Sequence, residues 1–148
     1  MQYIDSSIPP PIMKQDEVKG IVASTSPNAN RYFYLLDPVS DLVWEVDGYE
    51  QPVPDGATPQ WMLLIMCPNC RNGLRLESSK KQFDINAEGI ETAEPFRCAW
   101  PIDKDGYKGN CPWGAELQRP NREIRVPVRT PNGMGREVRI DALIRAVK

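Results

Sequence analysis

The sequence predicts an all-β protein of short antiparallel strands, with a pair of hairpins around four cysteines and a short helix near the C-terminal end. Two observations predict this class. The chain has 15 prolines in 148 residues, about twice the usual frequency, and proline disfavours long helices. The apolar stretches are short, rich in β-branched residues and bounded by turn residues, as in strands.

Size and composition indicate a globular protein with one domain or two very small ones. Hydrophobic residues make up 41% of the chain and charged residues 26%, close to the averages for soluble domains. The longest apolar run, residues 61–66, is far shorter than the ~20 residues of a membrane-spanning helix, so no membrane association is expected. The first residues have neither the basic nor the apolar region of a secretory signal. We therefore expect synthesis in the cytoplasm, where thiols stay reduced.

Residues 1–17 are predicted to form an extended, proline-rich N-terminal arm. Pro9, Pro10 and Pro11 favour polyproline-II geometry, which has no internal hydrogen bonds. Such an arm is stable only when it lies against another surface, so these prolines are candidate partner-binding residues. The alternative is a frayed terminus.

Residues 18–60 form an acidic segment for which we predict three strands of a small antiparallel sheet. Pro38 lies between the second and third strands and suits a tight turn. Residues 47–59 are dense in proline, glycine and aspartate and are predicted to form a loop. The predicted strands cover residues 18–24, 31–36 and 42–46.

Residues 61–118 form the predicted cysteine module. A buried strand over residues 61–66 leads directly into Cys67, and a turn at residues 71–73 follows Cys70. Each later apolar piece is short and bounded by turns, which is typical of β-ribbons. These pieces cover residues 74–77, 82–85, 90–92 and 96–98.

Residues 119–148 are predicted to form a basic C-terminal arm. Residues 123–128 alternate aliphatic with charged or proline positions, which indicates an edge strand, because Pro127 cannot donate a ladder hydrogen bond. Residues 130–135 suit a hairpin loop and 137–140 its return strand. Residues 141–147 are predicted to form two turns of helix with Asp141 as the N-cap.

Four cysteines are the clearest chemical signal in the chain. Cys67 and Cys70 form a C-P-N-C turn that directs two sulfurs towards one point, whereas Cys98 and Cys111 flank a polar stretch predicted to be a hairpin. Folding this hairpin would bring the second pair of sulfurs together. Four thiolates match the tetrahedral shell of Zn²⁺ in closed structural sites, so we predict a structural Zn²⁺ held by these cysteines.

Two other uses of the cysteines are open at this point. Two disulfides would form if the protein entered an oxidising setting. A redox-active C-P-N-C would fit the apolar strand before Cys67, but residues 71–76 have strand and turn chemistry where a redox fold needs a helix.

The cysteine layout resembles that of the zinc-ribbon group, in which a C-P-x-C turn and a second cysteine pair clamp one zinc ion. The resemblance covers residues 61–118, although the second pair here is C-x₁₂-C. The sequence of C-P-x-C, then C-x-W-P at Cys98, then C-x-W-G at Cys111 is also similar to small zinc-binding proteins encoded by bacteriophages. The resemblance implies a zinc-ribbon-like hairpin pair with a structural metal. Trp100 and Trp113 each follow a ligand by two residues, and we expect them to pack around the site.

No enzyme activity is predicted. The chain has no histidine, which excludes catalytic groups that depend on imidazole, and it has no Gly-rich phosphate loop or nucleophile elbow. Carboxylate pairs such as Asp103 and Asp105 lie in turn-like, polar contexts and are expected to be solvated. We therefore expect no small-molecule substrate.

Charge is distributed unevenly along the chain. Residues 1–66 carry 3 basic and 9 acidic side chains, whereas residues 119–148 carry 8 basic and 3 acidic. This polarity suits head-to-tail contacts between copies or with a protein partner, although both sets could simply be solvated surface. The candidate partner-binding arginines, which could also contact nucleic acid, are Arg122, Arg125, Arg129, Arg136 and Arg139.

The sequence thus predicts a non-enzymatic, zinc-stabilised structural or adaptor subunit of a larger assembly. A bacteriophage virion, as a capsid or tail component, is one assembly that we expect, although the phage-encoded proteins of similar layout have no assigned role. The alternative is a zinc-ribbon factor that binds nucleic acid or a polymerase. The cysteine module carries 7 basic and 8 acidic side chains and so offers phosphates no net attraction, which favours the first function.

Overall fold

The computed structural model of the chain describes residues 12–14, 30–129 and 135–147. Pro9, Pro10 and Pro11, and the strand predicted over residues 18–24, lie outside the described residues. The proline-rich arm and its partner-binding role therefore stay predictions.

Strands make up more than half of the described part and helix almost none of it, which confirms the all-β prediction. One 3-10 turn, Ser78–Lys80, is its helical element. The strands are β1 (Ile12–Lys14), β2 (Arg31–Asp37), β3 (Leu42–Gln51), β4 (Gln60–Met66), β5 (Gly73–Glu77), β6 (Asp84–Asn86), β7 (Gly89–Glu91), β8 (Phe96–Arg97), β9 (Pro101–Lys104), β10 (Tyr107–Asn110), β11 (Gly114–Gln118), β12 (Arg125–Arg129), β13 (Gly135–Arg139) and β14 (Ala142–Val147).

Eight strands form one sheet in the order β5-β4-β3-β2-β14-β11-β8, with β1 paired to β3. Its pairs are antiparallel except for β14 with β2, which is parallel. Three hairpins, β6–β7, β9–β10 and β12–β13, are attached to this sheet. The composition of the sequence suggests boundaries near residues 60 and 118. The main sheet nevertheless contains strands from all three of the segments that these boundaries define.

The predicted C-terminal helix is wrong. Residues 142–147 form β14, which pairs with β11 on one side and β2 on the other. Ala142 and Ile144 are buried at strand spacing between these neighbours, so tertiary packing overrides the weak helical preference of the segment. Asp141 is not a helix cap, because its carboxylate accepts the main-chain N–H of Tyr34 at 2.8 Å.

One face of the sheet forms the main core. Its side chains come from strands before, within and after the cysteine module, and the four cysteines belong to the same cluster. The ring of Phe33 also meets Trp61 edge to face, with centroids 5.3 Å apart. The strands and the cysteine module therefore share one core. Fully buried members include Phe33, Leu35, Leu63, Ile65, Ile90, Leu117 and Ile144.

The other face of β2 and β3 is covered by the β12–β13 hairpin. Tyr34 and Val43 pack there against Val126, Val138 and Ile140 in a second, smaller core. Burial of these side chains fixes the basic C-terminal hairpin to the sheet.

Asp141 connects distant parts of the chain just before β14. Its N–H donates to the carbonyl of Tyr34 at 2.7 Å, and its own carbonyl accepts the N–H of Ile90 at 3.0 Å. Its carboxylate also accepts from Arg31 at 3.0 Å. These contacts join β2, β7 and the start of β14 at one point.

Within the described residues, no helix is long and apolar enough to cross a membrane.

Candidate metal centre

The first half of the site is a tight turn between β4 and β5. The N–H of Cys67 donates to the carbonyl of Asn72 at 2.9 Å, and the N–H of Arg71 donates to the carbonyl of Cys67 at 2.8 Å. Arg71 has φ 62°, which closes the turn in left-handed geometry. Both Cys67 and Cys70 thereby point into the core, where they are buried.

The second half is built on the β9–β10 hairpin, as the sequence predicts. The N–H of Cys98 donates to the carbonyl of Trp113 at 2.8 Å, and that of Cys111 to the carbonyl of Trp100 at 2.7 Å. These bonds hold the two ends of the hairpin side by side. Twelve residues separate Cys98 from Cys111 in sequence, yet their side chains meet in one cluster.

The sulfurs of Cys67, Cys70, Cys98 and Cys111 all lie within 4.8 Å of one another, and all four side chains are buried and free. The Cys67 and Cys111 sulfurs are 3.8 Å apart, and those of Cys70 and Cys98 are 3.4 Å apart. A tetrahedral shell with metal–sulfur bonds of about 2.3 Å has edges of about 3.8 Å. The cluster is therefore compact enough to hold one metal ion.

Two side-chain amides donate to the sulfurs from the first turn. Asn69 Nδ2 lies 3.0 Å from the Cys111 sulfur, and Asn72 Nδ2 lies 3.3 Å from the Cys70 sulfur. Such N–H groups stabilise negative charge on sulfur, so they suit thiolates. Neither asparagine was predicted from the sequence, although their positions two residues after each cysteine of the turn are the available signal.

Electrostatics around the cluster differ from one sulfur to another. Burial raises the pKa of the Cys67 thiol to about 11 and also raises the pKa of Cys98. Burial acts in the same direction on Cys111, but hydrogen bonds from Asn69 and the main chain of Trp113 outweigh it and lower the pKa of that thiol. Without a cation, burying several thiolates together is unfavourable, and a bound metal removes this penalty as it displaces the protons.

The two tryptophans near the cysteines have different surroundings. Trp113 is half-buried, stacks on Trp44 with centroids 5.9 Å apart, and meets Phe96 edge to face. Trp100 is 44% exposed, and its Nε1–H donates to the carbonyl of Gly73 at 2.9 Å. Trp113 thus packs in the core as expected, whereas Trp100 fixes the start of β5 and presents much of its ring to solvent.

Three of the predicted arginines come together away from the cysteines. Arg122, Arg125 and Arg139 line a depression of about 470 Å³, together with Glu88 and Glu123. Arg139 donates to the carbonyl of Ala87 at 2.6 Å, and Arg125 donates to Glu123 at 2.6 Å. Arg129 and Arg136 lie on β12 and β13, but their side chains are outside the described part.

Comparisons with protein-family models, curated proteins and solved structures give no match for this chain. The site is therefore characterised by its own residues: four buried cysteines able to hold a metal ion. The arginine-lined depression is a separate feature and shares no lining residue with them.

Proposed function

We propose that the protein is a non-enzymatic, zinc-stabilised structural or adaptor subunit of a larger assembly. The observation that carries this proposal is the closed set of four buried cysteine sulfurs. All four positions of a tetrahedral ion would be filled by protein, which leaves no position for substrate or water. A closed site of this kind stabilises a fold and performs no chemistry.

The donor set favours Zn²⁺ among common metal ions. Thiolate ligands select soft or borderline ions, and Zn²⁺ accepts four of them in tetrahedral geometry. An iron–sulfur centre with four cysteines has the same ligand type, so metal analysis is part of the test.

The assembly part of the proposal is supported by the arginine-lined depression. Arg122 is exposed and has no partner among the described residues, whereas Arg125 and Arg139 are held in place by neighbours. A fixed arginine fork binds carboxylates in two-point geometry. This surface suits an acidic patch on another copy or on a protein partner. The cysteine layout extends the proposal to a particle component of a bacteriophage.

Native mass spectrometry with and without a chelator tests the metal. We expect the mass of the chain plus one zinc ion, and a loss of that mass together with a lower melting temperature after chelation. A metal-free mass smaller by four hydrogens would instead indicate two disulfides and would contradict the proposal. Elemental analysis showing iron and sulfide would contradict the choice of zinc.

Light scattering coupled to gel filtration tests the assembly. We expect the purified protein to form a defined oligomer that Arg122→Glu and Arg125→Glu weaken, because each replacement puts a negative charge where an acidic patch would dock. Lys108→Glu makes the same charge change on the exposed β10 and serves as the control. A monomer at every concentration, with identical behaviour of all variants, would contradict self-assembly.

A second candidate function is a nucleic-acid-binding factor. It is favoured by a different surface, a groove that is lined by Arg75, Lys80 and Lys81 and reaches Cys98 of the metal centre.

A further inference from the structure

A groove of about 980 Å³ separates the two edges of the curled sheet. It is lined by residues of β5 on one side and by β8 with the preceding residues 93–95 on the other, and these are the first and last strands in the order of the main sheet. Cys98 lies at its wall, so the groove adjoins the metal centre.

The groove is basic. Its charged lining consists of four cations and one anion, in contrast to the near-neutral charge of the cysteine module as a whole. Lys80 pairs with Glu77 at 3.0 Å, whereas the Lys81 ammonium has no ion-pair partner within residues 30–129 and 135–147. The charged residues are Arg75, Lys80, Lys81, Arg97 and Glu94.

An aromatic ring is fixed at the same wall. The Trp100 indole is anchored through its Nε1–H to the carbonyl of Gly73, yet 44% of the residue is exposed. Phe96 lies half-buried in the same lining. An anchored, partly exposed ring loses little entropy when a planar group stacks on it.

An added protein strand is a poor occupant, because the edge of β5 is already closed at both ends. The carbonyl of Gly73 accepts from Trp100, and the N–H and carbonyl of Glu77 bond to Gln82. Arg75 lies midway between Gly73 and Glu77, so by strand periodicity its N–H and carbonyl point towards the same edge. Among the described residues of β5, Arg75 is therefore the one residue whose N–H and carbonyl could both bond to an added strand. Strand addition depends on a run of main-chain hydrogen bonds. Side chains, not the main chain, must therefore recognise the occupant.

We propose that this groove binds single-stranded nucleic acid, with phosphates against Arg75 and Lys81 and a base stacked on Trp100. A cationic groove with an aromatic platform is the usual chemistry for unpaired strands, whose bases are free to stack. The proposal rests on the second candidate function and names its site. This groove is distinct from the depression that the C-terminal arginines line.

Fluorescence anisotropy with labelled 12-nucleotide oligothymidine tests the proposal, and oligouridine of equal length distinguishes DNA from RNA. We expect binding that weakens with salt, with a log–log slope of about −0.7 for each phosphate contact. Arg75→Gln and Lys81→Gln should each weaken binding and reduce the slope by about 0.7. Trp100→Ala should weaken it about ten-fold, whereas Trp100→Phe should retain most of the stacking. Binding should also quench tryptophan fluorescence in the parent protein.

Two exposed residues outside the groove provide controls. Lys108→Gln and Arg145→Gln remove equal charge on β10 and β14 and should leave affinity unchanged. Retained zinc and an unchanged circular dichroism spectrum show that each variant is folded. No binding at low salt would overturn the proposal, as would equal affinity for a duplex. A loss with Arg125→Gln but not with Arg75→Gln would also overturn it, and would move the site to the C-terminal hairpin. None of these results affects the metal or oligomer tests of the first candidate function.

Discussion

The carboxylate of Asp141 accepts a 2.8 Å hydrogen bond from the main-chain N–H of Tyr34, which is 107 residues earlier in the chain. The second oxygen accepts from Arg31 at 3.0 Å. A buried main-chain N–H in the middle of a sheet must have an acceptor. For Tyr34 this acceptor is the side chain of Asp141.

Replacing Asp141 with alanine should lower the free energy of unfolding by about 1–3 kcal/mol, because it leaves the Tyr34 N–H buried without an acceptor. Asp141→Asn keeps one oxygen and should cost less. Urea unfolding of both variants measures the difference. Equal losses for the two variants would show that the Tyr34 hydrogen bond contributes little.

The pKa of Asp141 predicts that the stability of the fold depends on pH. Burial raises the pKa of Asp141, and this outweighs the opposing effects of the Tyr34 N–H and Arg31. A raised pKa means that the charged form is disfavoured in the folded state. The stability that Asp141 contributes to the fold is therefore greatest below the ordinary aspartate pKa of 3.8. It declines as the pH rises through the pKa of Asp141 in the folded state.

The asparagine in Asp141→Asn cannot ionise. The free energy of unfolding of this variant should therefore fall furthest below that of the parent protein near pH 3, and the difference should become smaller towards pH 7. Urea unfolding of both proteins across this range measures it. A deficit that grows with pH would reverse the sign of the effect.

Gly89 predicts a steric test at the same junction. It has φ +129°, and a Cβ there would lie 2.3 Å from the carbonyl oxygen of Asp141. Gly89→Ala should therefore displace the main chain and destabilise the fold by more than about 2 kcal/mol. Gly56→Ala is the matched control, because Gly56 has φ +82° with nothing within 4 Å. Its cost should be about 1–2 kcal/mol, from conformation alone.

Asn69 predicts how surrounding groups tune metal affinity. Asn69→Ala removes the 3.0 Å hydrogen bond to the Cys111 sulfur and should weaken zinc binding by about 10- to 100-fold. Competition with a chromogenic chelator measures this. Asn121→Ala, at an exposed turn away from the cysteines, should leave affinity unchanged.

The sequence predicts the cysteine cluster well because its information is local. The C-P-N-C turn fixes Cys67 and Cys70, and the turn residues Asp105 and Gly106 mark the hairpin that joins Cys98 to Cys111. Trp100 was expected to pack around the sulfurs, but its polar edge bonds to Gly73. Gly73 is 27 residues away from Trp100 in the sequence, so no local pattern identifies its carbonyl as the partner.

Other parts of the fold depend on partners far along the chain. The segment from Ala142 to Val147 fits either a helix or a strand by composition, and the open positions beside β2 and β11 decide the outcome. Likewise β3 continues to Gln51, inside a stretch predicted as loop, because β4 pairs with it there. The basic groove depends on how the sheet curls, so no single segment predicts it.

The position of β14 between β2 and β11 has a consequence for biosynthesis. All ligands of the metal centre are present once residue 111 has been made, but the middle of the sheet is missing until residues 142–147 follow. During synthesis the edge of β2 is unpaired, and unpaired edges invite association with other chains. Capture of the metal by the nascent chain would hold β4 and β5 beside the hairpin during this interval. The ion would then act as an early folding nucleus, in place before the strand that completes the middle of the sheet.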